Sequence, residues 1–310
     1  MNVTVRPLRE ADLVEADRIF RLAFGTFVGL DDPIEFAGDS EWIAARWRAD
    51  PSAAFAADVD GRFAGSNLAT NWGSIGFFGP LSVYPDFWNQ GVARRLLEPT
   101  MACFERWGTR HAGLFTFAQS PKHVSLYQRF GFYPRFLIAI MDGVPAAASS
   151  AYTPFSAVAP GEREALLTEC RALTSDIFDG LDVSREIRAI AAQALGETLL
   201  VREGSRLDGL AVCHVGARTE AGSGVCYVKF AAARGGAGAG ERFDRLLEAV
   251  ESYAASRGAS VSAGVNLGRE DAYLRLLARG YRTSIQGVSM HRPNVAATDR
   301  ADAYVLDDWR

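Results

Sequence analysis

The sequence predicts an α/β protein in which one unit occurs twice. Three observations predict it. From Ile75 the chain reads strand, glycine loop, long helix, strand, short helix, strand, and from Val225 the same order returns. The short helices end alike, in R-F-G-F and in A-R-G-Y. The spacing also agrees, because Gly91 precedes Gly131 by 40 residues and Gly238 precedes Gly280 by 42.

Taken in order, Val3, Val5 and Leu8 open a strand, and residues 10–24 have the apolar face of a helix. Residues 25–38 form a loop, and a short helix over 40–48 brings Trp42, Ile43, Arg46 and Trp47 together, in a pattern of core or lid packing or, as the alternative, of a ligand-site lining. Strands 53–59 and 62–71 are joined by Asp60-Gly61, a hairpin signal. Strand 75–83 is made irregular by Gly76, Gly79 and Pro80. The helix after Gly91 contains Pro99, which should shorten or kink it. After strand 114–118, Ser120 as N-cap, Pro121 at the first helical position and Gly131 at the C-terminal end bound a helix over 121–130. His123 and Tyr127 share one face of it. Strand 132–141 closes the first unit, 1–145, and the Ala/Ser/Pro-rich stretch within 146–160 reads as a linker.

The second unit, 161–293, has helices over 162–173 and 184–195, then strands 198–202, 207–215 and 225–231. A Gly/Ala loop through Gly235, Gly236, Gly238 and Gly240 leads into helix 241–256, strand 259–265, helix 270–278 and strand 281–290. The tail, 294–310, is polar and ends D-D-W-R; it either packs on a neighbouring surface or stays loose.

With 310 residues, 48% apolar and 23% charged, the chain has the composition of a soluble globular protein with room for two cores. A net charge of -4 argues against a nucleic-acid partner. Four scattered cysteines and four scattered histidines show no metal-ligand spacing, so no metal is expected and the cysteines read as reduced, as in a cytoplasmic protein. No apolar run is long enough for a signal or a membrane span. The chain also lacks G-x-x-x-x-G-K-S/T, which argues against a phosphate-loop nucleotidase.

Residues 81–97, L-S-V-Y-P-D-F-W-N-Q-G-V-A-R-R-L-L, read as strand, main-chain loop and helix N-terminus, a combination that offers N–H groups and a positive dipole end to an anion. On these residues each half resembles the GNAT superfamily of acyl-CoA-dependent N-acetyltransferases, most specifically over 81–141. The family loop is Arg/Gln-x-x-Gly-x-Gly/Ala. Gly91 and Ala93 fill its small positions, and Trp88 stands at the Arg/Gln position. The later family signature, a Tyr four residues before a Gly-aromatic pair, is matched by Tyr127 and Gly131-Phe132, with Ser120 where Asn is common.

The resemblance implies two tandem GNAT-like domains, each a mixed, mostly antiparallel twisted sheet flanked by helices. It implies acetyl-CoA as cosubstrate, held by Leu81, Ser82, Val83, Trp88, Asn89, Gln90, Gly91, Val92, Ala93, Arg94, Ser120 and Tyr127. Tyr127 would be the general acid toward the leaving thiolate. His123 reads more readily as a packing residue than as a base. Glu35, Asp39 and Glu41 are candidates near the pocket entrance for attracting a cationic amine. The implied reaction moves an acetyl group to a primary amine of a small molecule or peptide by direct attack. A CoA-binding or ligand-sensing module without turnover, or an interaction protein with vestigial sites, is the alternative, and the chain is a monomer or a homodimer.

The second half departs further from the pattern. Gly235 stands at the Arg/Gln position and Leu276 at the Tyr position, with Tyr273 three residues early. It reads as a structural or substrate-shaping unit, with a second working site, its Gly-Gly-x-Gly-x-Gly loop on a phosphate, as the alternative.

Overall fold

A computed structural model describes residues 2–145 and 150–310. Of the expected linker, residues 146–149 therefore lie outside the described residues, whereas Thr153–Pro154 is a strand and Phe155 is buried.

The first half runs β1 (Val3–Pro7), α1 (Leu13–Val28), α2 (Ile43–Ala49), β2 (Ala54–Val59), β3 (Arg62–Trp72), β4 (Ile75–Phe78), β5 (Ser82–Val83), α3 (Val92–Trp107), β6 (His111–Thr116), α4 (Pro121–Gln128) and β7 (Tyr133–Gly143). The second runs β8 (Thr153–Pro154), α5 (Arg163–Ile177), α6 (Ser184–Gln193), β9 (Gly196–Glu203), β10 (Arg206–Gly216), β11 (Gly222–Ala233), α7 (Ala239–Ser256), β12 (Ser260–Asn266), α8 (Glu270–Ala278), β13 (Arg282–Arg292) and β14 (Val305–Leu306).

Local chemistry accounts for most of these boundaries. Asp60 and Gly61 both have positive φ, +48° and +82°, as a two-residue hairpin turn requires. Helix α1 runs past its expected end through Gly25, where the backbone of Pro33 lies too close for any side chain. Pro99 neither shortens nor splits α3. The carbonyl it leaves unpaired belongs to Arg95, on the exposed side of the helix, so little is lost there.

The strands form one 14-stranded sheet in which the halves interleave. Its order is β1-β2-β3-β4-β6-β13-β7-β12-β11-β10-β9-β8. Within each half one pair is parallel, β4 with β6 and β11 with β12. The last long strand of each half then crosses over. Strand β13 lies against β6, with Val288 opposite Thr116 and Arg292 opposite Ala112. Strand β7 lies against β12, with Ile138 opposite Asn266 and Gly143 opposite Val261. The two exchanged strands also pair with each other. At the β6–β13 seam His111 Nε2 and His291 Nδ1 are 2.9 Å apart and both rings are buried.

The cores join in the same way. Trp72 of the first half packs edge-on against Phe77 and against Phe230 of the second, with ring centroids 4.6 and 5.2 Å away. The tail is not loose. Strand β14 pairs with β11, and residues 305–309 are all buried.

Candidate active site

Strands β4 and β6 are paired only from Ile75/His111 to Phe77/Gly113, beyond which they separate. Strand β4 stops at Phe78, Gly79 and Pro80 break the run, and β5 resumes against β3 with Ser82 opposite Ser66. Gly65 permits that approach, because a Cβ there would sit 2.3 Å from the Ser82 carbonyl oxygen. The gap between the strands opens into a cavity of about 940 Å³.

One end of the cavity is the loop entering α3. Asn89 and Gly91 have left-handed backbone, φ +65° and +82°, and nothing crowds a Cβ at Gly91. The glycine is thus required by the turn and not by packing. The turn leaves the first N–H groups of α3 facing outward. Of the residues expected to hold the cosubstrate, Leu81, Val83, Trp88, Asn89, Gln90, Gly91, Val92, Ala93, Arg94 and Tyr127 line the cavity together. Ser82 and Ser120 are not among its lining residues. The Ser82 side chain is buried 3.5 Å from the Ser66 hydroxyl, and Ser120 begins α4 through its carbonyl, without a side-chain cap. Trp88 has its own use, because its indole donates to the Val83 carbonyl at 2.7 Å and Lys122 sits over its ring.

At the middle of the cavity Tyr127 is buried against Phe78, ring centroids 5.6 Å apart. Burial pushes its hydroxyl well above the ordinary value of 10, with Thr116 pulling weakly the other way, so it stays protonated at neutral pH. His123, one turn earlier, lines the same cavity with its ring against Phe27. Burial, and then Lys122, pull it below 6.5, which keeps the imidazole neutral. The far end is aromatic, with Phe24, Phe36, Trp42, Phe115 and Phe117 from the first half and Trp309 from the tail.

The acids expected near the entrance face elsewhere. Asp39 accepts from the Ser223 amide and hydroxyl, and Glu41 lies beside Arg48 and Arg218. Glu35 ends a short turn, and none of the three lines the cavity. Below the aromatic end, buried Arg46 donates to both oxygens of Glu220 and to the Gly79 carbonyl, fixing the β4 break to the second half. Lys229 adds a third charge at 2.6 Å. Although burial raises the Glu220 pKa, Arg46 and Lys229 hold it well below the carboxylate range.

In the second half the corresponding places are filled by the protein itself. Gly238 has the left-handed backbone of Gly91, φ +73°, at the start of α7. Buried Arg242, however, turns back into the loop and donates to the carbonyls of Arg234, Gly235 and Gly236. Strands β11 and β12 separate after Val228/Ala263, and β14 occupies the opening by pairing with Ala231 and Ala232. Leu276 is buried in the core at the position equivalent to Tyr127.

A split parallel pair followed by a left-handed glycine at a helix N-terminus makes an α/β fold whose gap and helix end can take a ligand carrying an anionic group. Residues 16–132 match the family described as Acetyltransferase (GNAT) family, so that segment of the first half is a GNAT domain. Members of this family are acetyltransferases with acetyl-CoA as cosubstrate. No curated protein sequence matches the chain.

Among solved structures, a candidate acetyltransferase from Pyrococcus horikoshii is similar over 99% of this chain and 95% of its own, with TM-score 0.71 at 12% identity. A GCN5-related N-acetyltransferase from Sphaerobacter thermophilus is similar over 93% and 95%, with TM-score 0.61 at 16% identity. The GCN5-related glucosamine N-acetyltransferase region of a fungal multi-domain β-N-acetylglucosaminidase is similar over 94% of this chain and 38% of that one, with TM-score 0.63 at 15% identity. At such identities these likenesses concern the fold, and they extend it across both halves. Among the described residues no helix is long and apolar enough to cross a membrane, and no cluster of three His, Cys, Asp or Glu side chains is placed to hold a metal.

Proposed function

We propose that this chain is an acetyl-CoA-dependent N-acetyltransferase acting on a primary amine of a small molecule or peptide, with its working site in the first half. The observation that carries this reading is one cavity that runs from the Gly91 turn, past Tyr127, to an aromatic end. Acetyl-CoA supplies an activated thioester.

The residues present fit that group. The free N–H groups opening α3, with Arg94 and Arg95 beside them, suit a diphosphate. Main-chain groups of Leu81 and Val83 border the gap where β4 and β6 part and would orient the acyl arm. The amine nitrogen forms the new C–N bond as the C–S bond breaks. Tyr127, held protonated by its burial, gives its proton to the departing sulfur. His123, held neutral on the same wall, accepts the proton lost by the amine. The second half is a structural and substrate-shaping unit, and the chain takes up one CoA.

The test is Tyr127→Phe, assayed for thiol release and for acetyl-CoA affinity. Turnover should fall by about 10²–10⁴-fold, the usual worth of a positioned acid, with acetyl-CoA binding retained. Unchanged turnover at saturating substrates removes Tyr127 from the mechanism. Calorimetry giving two CoA molecules per chain removes the structural reading of the second half.

A further inference from the structure

Resting on the acetyl-transfer reading above, we propose that the acceptor is an amine borne on a compact aryl or similarly apolar body, with no second cationic group. The acceptor end of the cavity is one continuous run of rings. Trp42 meets Phe20 at 6.2 Å, Phe20 meets Phe36 at 5.5 Å and Phe36 meets Phe24 at 5.5 Å. Phe24 then meets Phe117 at 6.4 Å, Phe117 meets Phe27 at 5.0 Å, and Phe27 meets His123 at 4.9 Å. These rings come from α1, the turn after it, the start of α2, the end of β6 and α4, and every one of them lines the cavity. Five separate segments therefore converge on one apolar surface.

Charge selects in the same direction. Among the described residues lining the cavity there is no Asp or Glu; of its cations, Arg94 and Arg95 belong to the diphosphate end and Lys122 sits over Trp88, which leaves Arg129 and Arg310. Nearby acids are already committed, Asp39 to Ser223 and Asp308 to Tyr227 and Arg310. A polyamine or amino sugar would bring several ammonium groups into this space, each losing hydration with no carboxylate to offset it. A single amine on an apolar body loses little by entering, and its ring replaces water against the aromatic wall. An apolar wall with no lining carboxylate also favours the uncharged form of that one amine, and only the uncharged form can attack the thioester.

The test uses the full chain with three probes: 2-phenylethylamine, 1,4-diaminobutane and a tripeptide with a free apolar N-terminus. Binding in the presence of CoA is read by calorimetry, and turnover by thiol release from acetyl-CoA. The aryl amine should exceed the diamine by about 10- to 100-fold in kcat/KM and in affinity, the factor expected for burying one ring. Phe117→Ala should lower the aryl amine's kcat/KM by about 10-fold and leave acetyl-CoA affinity unchanged, and Phe24→Asp should move the preference toward the diamine. A diamine that is accepted equally well, or a peptide that is preferred to both, overturns the substrate class while leaving acetyl transfer standing. Absence of thiol release with every amine, while acetyl-CoA binds, overturns the transfer reading instead. The calorimetric order of aryl amine over diamine then still decides the class of ligand.

Discussion

The histidine pair at the β6–β13 seam should make the joint between the halves sensitive to mild acid. His111 is pulled down to about 4 by burial, and His291 to about 3 by burial and then by His111, against 6.5 in the unfolded chain. Asp299 opposes both shifts and Arg135 reinforces them. Because the folded values are depressed, the unfolded chain binds protons that the folded chain refuses. The stabilising contribution is complete above 6.5 and is lost as pH falls from there toward 3. At pH 5 the loss is about 2 kcal/mol for each ring, or about 4 kcal/mol if both stay neutral in the fold. With a urea slope near 3 kcal/mol per molar, the unfolding midpoint should drop by about 1 M between pH 7.5 and 5. The control is His111→Asn/His291→Asn, less stable at pH 7.5 but with a markedly flatter pH dependence. An equal drop in both proteins would refute the assignment.

The two glycine turns give a paired test. Gly91→Ala and Gly238→Ala should each cost about 1 kcal/mol of stability, since both hold left-handed backbone. In calorimetry only Gly91→Ala should weaken CoA binding, by about 10-fold on the order of one distorted anion contact. Arg46→Met should lower stability by about 3 kcal/mol in urea, because it leaves buried Glu220 with Lys229 as its one cation and the Gly79 carbonyl without its donor. Arg18→Ala, which breaks the exposed Arg18–Glu15 pair, should change it by about 0.5 kcal/mol or less.

What the sequence made legible was local. The Gly91 turn shows in the chain because a left-handed residue before a helix demands glycine, and α4 because Pro121 and Gly131 mark its ends. The strand exchange left no such mark. Strands β7 and β13 each read as an ordinary closing strand, and their partners are chosen by packing far along the chain. Gly113 and Gly287 record that packing, since a Cβ would strike Trp309 in one case and Phe115 in the other, but in sequence each is only a glycine. The same holds for charge. Arg46 reads as a helix residue until Glu220, 174 positions away, is found against it. The polar tail leaves packing and looseness equally open until Asp307 meets Arg269 in the core. The aromatic residues over 20–47 fit core packing or the lining of a ligand site equally in composition, and the gap between β5 and β6 turns them into a wall.

The strand exchange also dictates when the site can come into being during synthesis. Strand β6, on the floor of the cavity, completes its pairing only with β13, and the His111–His291 contact spans 180 positions of chain. An N-terminal half emerging from the ribosome therefore waits with an open sheet edge and an unfinished cavity until most of the second half has been made. Such an edge is prone to wrong partners while it waits. The finished protein escapes this by having each half close the other, so neither half completes the cavity by itself. Two separately produced halves should regain the cavity only when they fold in each other's presence.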